Sequence, residues 1–85
     1  MIREGILLEK EAGLKTVFQG AEHSYVRCII ADTVDPQRRL TCRILDEEDI
    51  STSIGEHIKL EVIKVMTERH SGVVRFDCRL IKPET

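Results

Sequence analysis

The stretch Ile54-Gly55-Glu56-His57-Ile58-Lys59-Leu60-Glu61-Val62-Ile63-Lys64-Val65 constrains this chain more than any other. Apolar Ile58, Leu60 and Val62 alternate with His57, Lys59 and Glu61. A period of two marks a strand with one buried and one wet face. After Val62 the phase slips, because the next apolar residues are Ile63 and Val65. A slip of this kind is what a bulge produces where a sheet turns a barrel corner. A second alternating run, Val73 to Ile81, follows closely and completes a hairpin to which the rest of the chain must pair.

The same reading extends upstream. Ile2 to Glu9 is a strand bent near Gly5, and Lys10-Glu11-Ala12-Gly13 reads as a polar turn. Leu14 to Phe18 is extended by its Thr, Val and Phe content, either continuing the first strand or forming an arm of its own. A turn over Gln19 to Glu22 precedes a strand from His23 to Ala31, with Val26, Cys28 and Ile30 inward. Asp-Pro at 35–36 marks the next turn. Arg38 to Leu45 is then a strand with Leu40, Cys42 and Ile44 inward. On the final strand, expected over 73–82, Val74, Phe76, Cys78 and Leu80 face in, while Arg75, Asp77 and Arg79 face out.

Asp46-Glu47-Glu48-Asp49 sets acids side by side, so the 46–53 region is an exposed loop with at most one short helical turn. No apolar pattern of helical period reaches ten residues. The expectation is an all-β domain of five to six strands over 1–82, with 83–85 a disordered tail. Closing so small a sheet removes its exposed edges, which favours a barrel.

Eighty-five residues make one domain with a modest core, which a second copy would help to stabilise. The apolar runs are too short to cross a membrane and the start of the chain has no signal-peptide pattern, so a cytoplasmic location is expected. A net charge of −2 gives no support to bulk attraction to nucleic acid, although the distribution of sign matters more than the sum. Cys28, Cys42 and Cys78 fall on inward positions and form no CxxC pair, which fits buried free thiols.

The layout resembles an OB-fold: a long bent first strand, two hairpin-linked strands, an irregular connection and a closing hairpin. Within that class it loosely resembles the filamentous-phage gene V type of single-stranded DNA-binding proteins. The similarity rests on Met1-Ile2, Gly20 with Tyr25 soon after, Arg39 to Glu47, the Gly55-x-x-Ile58-x-Leu60-x-Val62 strand and the ending Arg79-Leu80-Ile81-Lys82-Pro83. The resemblance implies a small OB-like barrel that dimerises and carries a β-hairpin arm. It places Tyr25 where an aromatic of the arm stacks on bases, and Arg43 where a basic residue contacts phosphate.

The residues themselves supply an outward set: Tyr25, Arg27, Arg39, Arg43, Arg75 and Arg79, with Lys59. If strands 23–31 and 38–45 pair, Arg27, Arg39 and Arg43 share one face, able to track a phosphate backbone beside a stacking Tyr25. The same arginines also fit a solvated face paired with acids such as Glu61 and Asp77, where each cross-strand pair contributes about 0.2–1 kcal/mol. His23, His57 and His70 are scattered, and no metal motif, GxSxG nucleophile or Gly-rich phosphate loop is present. No enzyme activity, cofactor, metal or small-molecule substrate is therefore expected. The expected function is non-catalytic binding of single-stranded nucleic acid, DNA or RNA, by a homodimer or by a module within a larger complex. The alternative is a protein-interaction or assembly barrel that leaves nucleic acid alone and uses exposed Ile29, Ile63 and Val65.

Overall fold

The structure, a computed structural model, describes residues 1–81. The expected tail at 83–85 and the last residue of the expected final strand, Lys82, lie outside them. Among the described residues there are five strands and no helix: β1 (Ile2–Phe18), β2 (Ala21–Asp32), β3 (Arg39–Leu45), β4 (His57–Thr67) and β5 (Val74–Leu80). They close into a barrel in the order β1-β2-β3-β5-β4. All neighbouring pairs are antiparallel except β3 with β5, which run parallel. Five strands with one irregular crossover are compatible with the small OB-like barrel expected from the sequence.

β1 closes the ring because it is long enough to serve two neighbours. Ile2–Ile6 pair with β4, and Gly5–Phe18 pair with β2, so Gly5 and Ile6 are held on both sides. Gly5 leaves no room for a side chain: a Cβ built there would lie 2.4 Å from the Ala31 carbonyl oxygen. The turn expected at 10–13 is instead part of β1. Register shifts between Leu7 and Glu9 and between Glu11 and Leu14 absorb the polar stretch as irregularities, the second containing Gly13 at φ +75°. Leu14–Phe18 therefore continue the first strand. The two-residue connection Gln19-Gly20, both at positive φ, matches the right-handed twist of the strands it joins.

The bulge inferred from the phase slip in β4 is present. Val62 lies opposite Cys78 and Lys64 opposite Asp77, which leaves Ile63 as the extra residue. Upstream of it Ile58 and Leu60 point into the core. Downstream, Ile63 and Val65 are exposed, because the end of the β4–β5 hairpin runs past the packed part of the barrel. Val74 was expected inward and is exposed for the same reason: it pairs with Thr67 at the hairpin tip.

The core gathers Leu7, Val26, Cys28, Ile30, Leu40, Cys42, Ile44, Ile50, Ile58, Leu60, Phe76 and Cys78. The inward residues of β2 and β3 are those that alternation selects. Cys28 lies directly opposite Cys42, and all three thiols are free and buried. Ile50 comes from the irregular segment between β3 and β4, not from a strand. That segment forms no helical turn. It is tied to β1 by Lys10, whose Nζ donates to the carbonyls of Ile50 (3.0 Å) and Thr52 (3.2 Å). The backbone bond from Gly13 N to Glu48 O (3.2 Å) and the bonds between Leu7 and the Gly55-Glu56 step complete the tie.

Candidate functional site

The register of β2 on β3 places Arg27 opposite Arg43, Ala31 opposite Arg39 and Tyr25 opposite Leu45. β5 then sets Arg75 level with Thr41 and Asp77 level with Arg43. Tyr25, Arg27, Arg39, Arg43, Arg75 and Arg79 thus all lie on the outward positions of three adjacent strands, but their surroundings divide them.

Arg43 is the centre of the face. Its Nε donates to Asp77 Oδ1 at 2.9 Å and its Nη2 to Asp77 Oδ2 at 3.1 Å, a two-pronged pair. Its Nη1 donates to the Thr16 hydroxyl at 3.2 Å. The guanidinium carbon lies 5.3 Å from the centre of the Tyr25 ring, within cation–π range. The Arg43 side chain is only 13% exposed and that of Asp77 1%. The hydrogen bonds that Arg43 donates to Asp77 hold its pKa above the ordinary value, against the opposing effect of burial, and the Tyr25 phenol adds to it.

Arg75 turns toward the same carboxylate, with Nε 3.6 Å from Asp77 Oδ1. Its Nη2 reaches the Met66 sulfur at 3.3 Å, and its Nη1 lies 3.9 Å from Glu68. Its Nε is buried without a hydrogen-bond partner among the described residues. Asp77, expected outward on alternation, is therefore an outward-pointing but buried acid, covered by the two arginines it serves.

The remaining arginines are open to solvent. Arg27 is 47% exposed and stands 3.6 Å from Glu11 of β1. Arg39 is exposed and donates to the Pro36 carbonyl at 2.6 Å. Arg79 is exposed, opposite Glu61, and makes no ion pair with a described residue. Lys59 lies off this face on β4, 3.9 Å from Glu4. Alternation alone did not single out two other contacts. Thr16 joins because β1 runs on past the packed barrel, and Arg3 lies 5.9 Å from the Phe76 ring centre with its Nε buried and without a hydrogen-bond partner among the described residues.

The acidic run is a clamp for its own loop. Asp46, at φ +62°, accepts from His23 at 2.6 Å. Asp49 lies 3.7 Å from Lys10 and accepts the Ile50 N–H at 2.7 Å. Among the described residues no group of three or more His, Cys, Asp or Glu is placed to hold a metal ion, and no helix is long and apolar enough to cross a membrane. Of the thiols, Cys42 is pushed up to about 12 by its hydrogen bond to Cys28 and by burial. Cys78 is also raised, by its bond to Cys42 and by burial. Neither is poised as a nucleophile, which requires a thiolate.

No family model, curated protein or solved structure matches the chain.

Proposed function

We propose that this chain is a non-catalytic binding protein for single-stranded nucleic acid, DNA or RNA, which lies across the outer face of β2 and β3. The observation that carries this reading is the Tyr25 ring packed against the Arg43 guanidinium, with exposed Arg27 and Arg39 on the same face. An aromatic plane beside spaced cations is the minimum that a single strand needs: a surface for a base and charges for its phosphates. Stacking contributes roughly 1–3 kcal/mol per base. With a net charge of −2, the electrostatic share of the affinity is small and easily screened. The partner is therefore an unpaired strand, and the working unit is a cytoplasmic homodimer. Titrating a fluorescent oligo(dT) at low salt and following its anisotropy tests the reading. Saturation is expected at roughly 10 μM protein, and a flat signal there ends it.

A second reading is favoured by a different observation. Ile63, Val65, Val73 and Val74 expose apolar surface together around the β4–β5 hairpin. A barrel built only for protein assembly would present such a patch and have no use for Tyr25. That reading expects self-association or partner binding with no response to oligonucleotide.

A further inference from the structure

From the same face, and resting on the nucleic-acid reading, we infer that Arg43 is a positioning residue and not a phosphate ligand: it fixes Tyr25 as a stacking platform, so that the face reads exposed nucleobase planes. Asp77 is the anchor that gives Arg43 this role.

Of the five N–H groups of the Arg43 guanidinium, those on Nε and Nη2 that face Asp77 are taken by a two-pronged carboxylate, and one on Nη1 by Thr16. A phosphate would have to displace a buried carboxylate that already matches the fork, and that carboxylate has no alternative cation of equal geometry, since Arg75 stands 3.6 Å away. The bonds that withdraw Arg43 from phosphate also fix its plane. Being planar and held at both ends, it buttresses the Tyr25 ring from one side. Tyr25 itself stays partly exposed, so the ring has surface left for a base.

Charge and shape are thereby divided between neighbours. Arg27, directly across from Arg43, and Arg39, farther along β3, are the exposed cations suited to phosphate. Arg43 and Tyr25 make the flat surface. In a duplex the base planes are covered by their neighbours, so a platform of this kind selects unpaired strands.

Two probes of equal length separate the possibilities: oligo(dT) and a deoxyribose-phosphate oligomer without bases. Tyr25 is the only tyrosine and the chain has no tryptophan, so intrinsic emission reports on this ring alone. Oligo(dT) is expected to change Tyr25 emission and to bind about tenfold or more tighter than the abasic oligomer, which should leave the emission unchanged. Arg43→Lys keeps the charge and loses the plane and the fork. It should weaken oligo(dT) about tenfold with an unchanged dependence on salt, whereas Arg27→Ala should lower the log–log salt slope by about 0.7. Tyr25→Phe should bind like the parent and Tyr25→Leu should not, which keeps the test open if Arg43→Lys folds poorly. Equal binding of the two probes, or unweakened binding by a folded Arg43→Lys protein, overturns the inference and leaves the nucleic-acid reading standing. Binding of neither probe overturns both.

Discussion

Asp77 shows how one side chain decides whether a charged face is usable. It is buried, yet it belongs to the outward set of β5, and the guanidinium groups of Arg43 and Arg75 flank its carboxylate. Removing one partner of such a pair leaves the other desolvated and uncompensated. Asp77→Ala should cost about 3–5 kcal/mol of stability, read from the urea midpoint, while Arg43→Met in the same background should recover part of the loss. Additive losses in that cycle would mean that the pair has no private coupling. Gly5 carries a different constraint. An alanine Cβ there meets the Ala31 carbonyl at 2.4 Å, and backbone cannot swing aside as a side-chain end can. Gly5→Ala should destabilise by roughly 1–3 kcal/mol. Gly13 has open space around it and a φ of +75°, so Gly13→Ala should cost only about 1 kcal/mol, from conformation alone. Thermal melts of the two variants separate a steric cause from a conformational one.

At the scale of elements, legibility followed burial. β3, and β2 from Val26 onward, have one face in the core, so Val26, Cys28, Ile30, Leu40, Cys42 and Ile44 could be read from alternation. The bulge in β4 was readable because a buried face cannot tolerate a slip without an extra residue. β1 was not readable as one strand. Its polar middle, Lys10 to Gly13, looks like a turn, and only pairing with β2 on either side keeps it extended. At the hairpin tip Val65 is exposed as expected, but the inward reading of Val74 failed: it alternates correctly, yet it lies opposite Thr67 beyond the packed core. The candidate face was legible as a set of positions and not as a set of roles. Nothing in the spacing of Tyr25, Arg27 and Arg43 tells which arginine the parallel β3–β5 pairing will hand to Asp77. The exposed tip makes its own prediction. A Val65→Ser, Val74→Ser double variant should stay within about 1 kcal/mol of the parent in stability, since both sites are already wet. If the hairpin is the dimer surface, light scattering after size exclusion should show its molar mass falling from two chains to one. An unchanged mass would move the interface elsewhere on the barrel.

The whole molecule is a closed ring whose centre holds a chain of thiols from three neighbouring strands, and this makes its stability depend on alkaline pH. Cys42 lies opposite Cys28 on β2, and Cys78 of β5 is in the same buried cluster. In the fold the neutral thiol is favoured, and Cys42 titrates only near about 12, against 9.0 for the free group; Cys78 is raised as well. Between those two values the unfolded chain gives up protons that the folded chain keeps. The unfolded state then binds fewer protons, so stability falls as pH rises. The contribution is fully present below about pH 9 and is lost progressively from there toward 12. Urea titrations at a series of pH values should show the midpoint dropping across that window. Tyrosine and lysine ionise there too, so the control is Cys42→Ala, whose midpoint should fall less steeply although the variant starts lower for want of a packed sulfur. An equal slope in the variant would assign the alkaline loss to the surface. The same burial predicts that a thiol reagent at neutral pH reacts with the three cysteines only at the rate at which the barrel opens, because each is sealed in the core until the ring comes apart. Reaction that outpaces global unfolding would place the first opening at the seam between β3 and β5. That seam has only Thr41–Ile44 paired against Arg75–Cys78, and it is also where Arg43 and Asp77 hold the candidate face together.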